Sequence, residues 1–323
     1  MIPSVPSILK KIVISTVLFY ILPSPTMTDA ITNTFFEATS AAGTTVEVDF
    51  GNKAAPKKYA IGYWSIRGLG APITMMMCAA KIPFTLFLYD IVEKGEGGWS
   101  SEYFAAKGDY IDDFKQPLWN LPFCIDREDE RVIAQTNAAF AHIGRACGML
   151  GDNPVATSEC EQLLCEIYDL RNVMVGYAYS SEEVEVSSVI ARGKKHLLKL
   201  EKWMEFQAEK GDGNGALVHL VDGKFSAADF HLYEMLDQFE ALAKEQGTDL
   251  YANNDLKRMK EFKENFETLP ENKFYLDSWL HKELPFNNCM ARFGSLPGPK
   301  TYVHGESSKI ASWRGKGVIA LSP

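Results

Sequence analysis

The sequence predicts an α/β segment followed by an all-helical one. Two observations carry this. Between Tyr59 and Ala146, runs rich in β-branched and aromatic residues alternate with runs of helical periodicity. From about Gly148 onward, apolar residues recur only at three- and four-residue steps. The chain has 323 residues, 46% hydrophobic and 23% charged, which fits a soluble globular protein of about two domains.

Taken in order, Tyr59 to Ile66 reads as a strand, and Pro72 opens a helix through Ile73, Met75, Met76, Met77 and Ala80. The methionine run reads as helix packing rather than metal ligation, because it lacks soft-ligand partners. Phe84 to Val92 reads as a second strand, Gly95 to Gly98 as a break, and Glu102 to Ala106 as a short helix. Phe123 to Ile125 and Arg131 to Ile133 form a hairpin about the charged turn Asp126 to Glu130, and a helix starts at Thr136. This β-α-β-α-β-β-α order is that of a thioredoxin-like domain. Leu163, Leu164, Ile167, Leu170 and Val173 then mark one helix, and Val186, Val189, Ile190, Leu197, Leu200, Trp203 and Met204 another. Ser226 and Asp229 have the spacing of a capping box ahead of a helix through Phe239. Helices are also expected over Asp255 to Thr268 and Asn272 to Lys282.

Residues 28–57, rich in Thr, Ala, Ser and Gly, read as linker, so order is expected to begin near Lys58. Lys10 and Lys11 precede an apolar run from Ile12 to Leu22, as in a secretory signal, but Pro23 and Pro25 stand where a cleavage site is expected. Three readings stay open: secretory or organellar targeting by residues 1–26, a leader that is cleaved or disordered, or an upstream start codon with Met27 as the real start. The run is too short to span a bilayer, and no stable membrane span is expected. The expected division is 1–57 leader and linker, 58–147 thioredoxin-like domain, 148–290 helical domain, and 291–323 C-terminal extension.

A formal net charge of −9 weighs against nucleic-acid binding. The six cysteines are scattered, and Cys160 and Cys165 have no histidines at ligand spacing. They are expected to be reduced thiols on helices, with no metal, and their usage points to the cytoplasm.

Four segments carry a resemblance. Gly62-Tyr-Trp-Ser-Ile-Arg-Gly-Leu69, Asn120-Leu-Pro-Phe-Cys-Ile-Asp126, Gln135-Thr-Asn-Ala138 and Ser308-Lys-Ile-Ala-Ser-Trp313 occur in this order. Together they resemble the mu class of glutathione transferases over roughly Tyr59 to Lys316. The resemblance implies the glutathione transferase fold and conjugation of the glutathione thiolate to a hydrophobic electrophile. Glutathione enters as co-substrate, and no metal takes part.

A free thiol has a pKa of about 8.5, so a donor held at the sulfur is needed to make the thiolate abundant at neutral pH. The resemblance gives that role to the hydroxyl of Tyr63; apart from its motif it reads as a strand tyrosine packed in the core. Trp64 and Leu69 flank it in the implied glutathione site. Pro122 matches a cis-proline that turns the Leu121 backbone, beside Asn120, toward the cysteinyl part of glutathione. Gln135 and Thr136 begin a helix whose unpaired N–H groups favour the γ-glutamyl carboxylate. Thr136 serves also as a plain N-cap, and Gln135 reads otherwise as a solvated residue. Asp169 falls where an acidic residue reaches across the dimer to the glutathione amine, or is a solvated helix carboxylate. Tyr179 matches a tyrosine of the electrophile pocket, or is a core aromatic.

The chain departs from the mu pattern between the second strand and Asn120, where an Arg, a Trp and a Lys hold the glycine carboxylate. Here there is no arginine from Val92 to Leu121; Lys107 is the expected carboxylate partner, and the aromatic stays open between Trp99 and Tyr103. A homodimer is implied, with Leu118 and Trp119 expected as an apolar plug into the partner. Two other functions remain in view: a glutathione-dependent isomerase, as in the sigma class, and a non-catalytic binding or scaffold protein.

Overall fold

A computed structural model describes residues 36–42, 45–51, 57–95, 98–210 and 219–295. The chain runs through strands β1 (Phe36–Ala42), β2 (Thr45–Phe50) and β3 (Tyr59–Trp64), then helix α1 (Gly70–Ala79) and strand β4 (Phe84–Tyr89). A small hairpin of β5 (Val92–Gly95) and β6 (Gly98–Ser100) leads into α2 (Glu102–Phe114), followed by β7 (Phe123–Asp126), β8 (Arg131–Ala134) and α3 (Thr136–Ala146). Among the described residues six helices follow: α4 (Pro154–Ala178), α5 (Val186–Lys210), α6 (Ala227–Glu245), α7 (Lys257–Thr268), α8 (Pro270–Leu276) and α9 (Trp279–Lys282). This is the thioredoxin-like domain followed by a helical domain that the periodicity predicts.

Six strands form one sheet in the order β1-β2-β4-β3-β7-β8. β3 and β4 run parallel across the α1 crossover, and the other neighbours are antiparallel. Alternation then sorts the side chains to two faces. Ile61, Leu86 and Leu88 join the large core with Ile73, Met76, Met77, Phe140 and Ile143. Phe87, Tyr89, Tyr103, Trp119 and Phe123 build a second, aromatic core.

Every residue of α1 is buried, because the helix lies between the sheet and α6 and α8 of the helical domain. Met75, Met76 and Met77 are therefore core residues, as expected. α6 is the central rod of the helical domain and begins with the capping box read from the sequence. Asp229 accepts from the Ser226 backbone at 2.7 Å and from the Ser226 hydroxyl at 2.6 Å.

Several expectations need correction. Residues 36–42 and 45–50 are not linker: β1 and β2 pair with each other, and β2 extends the sheet beyond β4 in the register Val48↔Leu86 and Phe50↔Phe84. The period-2 run Val46, Val48, Phe50 carried this signal beneath a linker-like composition. Order therefore begins well before Lys58. The second strand stops at Tyr89, and Val92 belongs to a separate hairpin. α2 is two turns longer than expected and is capped by the Ser101 side chain. The helix expected over Asn272 to Lys282 is two, since Ser278 opens α9 afresh. All six cysteines are free, though Cys124 lies on a strand and Cys289 in a connection. No helix of the described residues is long and apolar enough to cross a membrane. The apolar run Ile12 to Leu22 and the segment Ser308 to Trp313 lie outside the described residues.

Val48 and Phe50 are almost fully buried, and the Phe50 ring lies 5.2 Å from Phe84 and 5.3 Å from Phe274. Burying one such side chain is worth about 1.5–3 kcal/mol. A chain beginning at Lys58 is expected to lose about 3–6 kcal/mol of stability in urea unfolding. An unchanged midpoint would mean that the added hairpin does not stabilise the domain.

Candidate active site

β3 delivers Tyr63 to the turn that precedes α1. Its ring is buried, and two glycines make room for it. A Cβ on Gly70 would come within 2.6 Å of the ring, and one on Gly68 within 2.8 Å of the hydroxyl. Gly68 also sits at φ +38°, where other residues are strained. Leu69 is the N-cap residue of α1, next to the Tyr63 hydroxyl. Burial raises the phenol pKa; the Arg171 charge and the Leu69 backbone oppose this without reversing it. The hydroxyl therefore keeps its proton through neutral pH and faces its surroundings as a donor.

The turn itself is clamped to the helical domain. Arg67 is buried and donates to Glu234 from Nε at 3.2 Å and Nη2 at 2.8 Å, and to Asp237 from Nη2 at 2.7 Å. Its guanidinium stacks 4.6 Å from the Phe286 ring. The backbone N–H groups of Arg67 and Gly68 donate to the carbonyls of Pro285 and Phe286, at 2.7 and 3.2 Å. Electrostatically the two partners are pushed differently. Burial works against the Arg67 charge, and Glu234 and Asp237 outweigh it. At Glu234 burial dominates over Arg67 and lifts the carboxyl to about 7. Three N–H donors, two from Arg67 and one from Gln238 at 3.0 Å, are aimed at that carboxylate and decide for the ionised pair.

A cavity of about 140 Å³ opens where the two domains meet. Tyr63, Trp64, Ile66 and Gly68 line it from the first domain, Arg171, Val175 and Tyr179 from α4 and its end, Met235 and Gln238 from α6, and Asn287 and Asn288 from the last segment. Arg171, Val175 and Tyr179 are spaced by four and so share one helical face. The Tyr179 hydroxyl accepts from the Asn288 backbone at 2.8 Å, and burial pushes its pKa up to about 12. Tyr63 and Tyr179, expected in one site, thus stand in one cavity.

Other candidates are placed as follows. The Leu121–Pro122 peptide is cis, as expected, with Leu121 and Pro122 buried and Asn120 exposed. Gln135 is the N-cap of α3 at φ 73°, an uncommon conformation for a non-glycine residue, and its side chain is exposed. Thr136 follows as the buried first helical residue. Such strain at a helix N-terminus points to function. Asp169 is exposed on α4 and does not line the cavity. Trp99 is half-buried on β6, and Lys107 lies with Nζ 5.9 Å from the centre of the Tyr103 ring.

Two expectations are overturned. Tyr103 is 2% exposed and packs edge-on against Trp64 at 5.2 Å, so it is a core aromatic and not open to a ligand. Trp119 is likewise 2% exposed, 4.4 Å from Phe123 and stacked on Phe114 at 5.3 Å. It covers its own domain and leaves only Leu118 exposed as a plug.

The profile described as "Glutathione S-transferase, C-terminal domain" matches residues 168–279. The "Glutathione S-transferase class-mu 26 kDa isozyme 51" of Fasciola hepatica is 28% identical over 234 residues, 72% of this chain and 95% of that one. The "Glutathione S-transferase P 10" of Caenorhabditis elegans is 30% identical over 189 residues, 58% of this chain and 78% of that one. The chain belongs to the glutathione S-transferase family. The crystal structure of the glutathione S-transferase Blo t 8 superposes with a TM-score of 0.58 at 24% identity, covering 73% of this chain and 99% of that one. A pi-class glutathione S-transferase of Onchocerca volvulus does so at 0.54 and 24%, covering 73% and 100%.

Sequence reasoning left out several residues of this transferase's cavity: Arg171, Gln238, Asn287 and Asn288. Arg171 was within reach, since the four-residue steps from Tyr179 back to Val175 and Arg171 share a helical face. The asparagines had no local signal, because only the return of the last segment to the turn after β3 brings them in.

Replacing Arg67 by Met would leave the buried Glu234 carboxylate unpaired, at a cost of about 3–5 kcal/mol. Arg67→Met together with Glu234→Met is expected to recover part of that loss in denaturant unfolding. A double variant no more stable than Arg67→Met would show that the pair is not the source of the effect.

Proposed function

We propose that this glutathione transferase joins the glutathione thiolate to hydrophobic electrophiles, with Tyr63 as the hydrogen-bond donor to the sulfur. One observation carries the assignment: a phenol kept protonated by burial stands at the wall of the interdomain cavity. A neutral donor aimed at a sulfur lowers the thiol pKa by favouring the anion. The resemblance assigns Leu121 and Pro122 to the cysteinyl backbone of glutathione, and the N-terminus of α3 at Gln135 and Thr136 suits its γ-glutamyl carboxylate. Trp64 and Leu69 flank the sulfur position, and Tyr179 stands on the electrophile side.

Among the described residues Arg171 is the one cation in the cavity lining, and it bears on the Tyr63 hydroxyl. In the proposed reaction it adds to the positive potential that favours the thiolate. Asp169 is assigned to the glutathione amine of a partner subunit in a homodimer, a role its exposure on α4 permits. The glycine carboxylate falls to Lys107 and Trp99, now that Tyr103 is a core residue. The altered clamp is the feature that favours a non-catalytic binder, and a conjugation assay after glutathione-affinity capture decides between the two.

Tyr63→Phe is expected to lower turnover by about 10²–10³ while glutathione affinity changes only a few fold. The pH profile follows from the raised phenol pKa. Turnover should climb as the bound thiol ionises and should not fall below about pH 10, because the donor keeps its proton past its ordinary value of 10.0. In Tyr63→Phe the climb should move up toward about 8.5, the free thiol value. Wild-type turnover of the variant at slightly acidic pH would remove Tyr63 from the mechanism.

Lys107→Ala is expected to raise the KM for glutathione more than Trp99→Ala does, and less so at high salt, since only the lysine offers a charge to the carboxylate. Equal KM values for Lys107→Ala and the wild type would assign the carboxylate elsewhere.

A further inference from the structure

The cavity of Tyr63 holds a charge that the described part of the protein leaves without a counter-charge. Arg171 lines it from α4. Among the described residues no carboxylate pairs with its guanidinium. Its contacts are the Tyr168 ring, 5.7 Å from Cζ, and a long bond of 3.4 Å from Nη1 to Asn172 Oδ1. Both partners are neutral. The acids beside the turn, Glu234 and Asp237, are taken by Arg67. Asp169, two residues before Arg171, lies about 200° round the helix and does not line the cavity.

The rest of the lining is more polar than a site for purely apolar molecules needs. Gln238, Asn287 and Asn288 add amides, and Tyr63 and Tyr179 add hydroxyls. These groups are anchored to the protein. Gln238 donates to Glu234 at 3.0 Å, Asn287 donates to the Phe293 carbonyl at 3.1 Å, and the Tyr179 hydroxyl accepts from the Asn288 backbone at 2.8 Å. Burial raises both phenols, and the Arg171 charge opposes it at each, so its field spans the cavity. Ile66, Val175 and Met235 supply an apolar surface in the same lining. The conjugation reaction already brings one anion, the glutathione thiolate. An electrophile with a carboxylate brings a second, and the two repel unless a cation stands beside them. A planar guanidinium meets a carboxylate with two parallel N–H donors.

Resting on the transferase reading above, we propose that the electrophile side of this cavity selects compact electrophiles that carry a carboxylate, with Arg171 as the residue that recognises it. The hydrocarbon part of such a molecule lies toward Ile66, Val175 and Met235. For an unsaturated ketone of this class the step balances as follows. The sulfur bonds to the carbon β to the ketone, and the π pair of the double bond moves to the ketone oxygen as an enolate. A proton from water, equal to the one lost when the thiol ionised, then completes the saturated product.

β-Acetylacrylate and its primary amide share their shape and reacting double bond and differ by one charge at neutral pH. Each would be conjugated by the full chain, with kcat/KM divided by the uncatalysed rate constant with glutathione. The acid is expected to exceed the amide by about tenfold or more, and by less at high salt. Arg171→Gln should remove most of that advantage, and Arg171→Lys should keep part of it. Any help that Arg171 gives the thiolate acts on both substrates and cancels in their ratio. Equal values for acid and amide, or an undiminished ratio in a folded Arg171→Gln, would overturn the carboxylate site and leave the transferase reading standing. So would failure to conjugate either compound while neutral chlorodinitrobenzene is conjugated. Failure with all three would overturn the transferase reading, and the proposal with it. Should Arg171→Gln fail to fold, the ratio on the natural chain and its salt dependence decide.

Discussion

The guanidinium of Arg67 ties the turn after β3 in one domain to the central helix of the other. A charge of this kind is costly to bury alone and is retained only where carboxylates and further donors complete the arrangement. Here Glu234 and Asp237 do so from α6, with Gln238 satisfying the remaining oxygen of Glu234. The backbone adds a second tie, since Arg67 and Gly68 donate to the carbonyls of Pro285 and Phe286. The turn after β3 is thus fixed from two directions, and Tyr63, wedged behind Gly68 and Gly70, inherits that rigidity. The wall at Tyr179 is fixed in the same way, through its bond to the Asn288 backbone.

The two faces of the sheet are put to different uses. One face packs on α1 and, through it, on the helical domain, so its aliphatic residues are continuous with the main core. The other carries aromatic rings that pack under α2, with Tyr103 and Trp119 as interior members. Burial pushes the Tyr103 hydroxyl up to about 12, in keeping with a residue removed from solvent.

Much of this was legible in the chain. Apart from the β5–β6 hairpin, the strand and helix order from Tyr59 to Thr268 followed from periodicity, and the capping box at Ser226 and Asp229 from spacing alone. The cis peptide before Pro122 was legible only through resemblance, since nothing in composition selects that isomer. β1 and β2 were hidden because a segment rich in Thr, Ala and Ser reads as linker unless its alternation is weighed, and the partner of β2 lies more than thirty residues away. Trp119 was misplaced because a Trp beside an exposed Leu gives no local sign of which way it turns. The aromatic partners that claim it, Phe114 and Phe123, flank it in sequence, but only the fold brings the three rings together. The cavity around Tyr63 was half legible for a related reason: motifs gave its first-domain wall, and the other wall is assembled from α4, α6 and the last segment.

The pairing of β2 with β4 has a consequence for how the chain emerges during synthesis. Val48 and Phe50 leave the ribosome before Phe84 and Leu86, the residues opposite them, have been made. At about 5–20 residues per second, that interval is a few seconds. For that time an apolar strand has no native neighbour on its inner side, and an unpaired strand edge of this kind is a template for other chains. The domain as a whole therefore cannot close from its N-terminal end forward. Its sheet waits for the fourth strand before the second, paired until then only with the first, has a neighbour on its inner side.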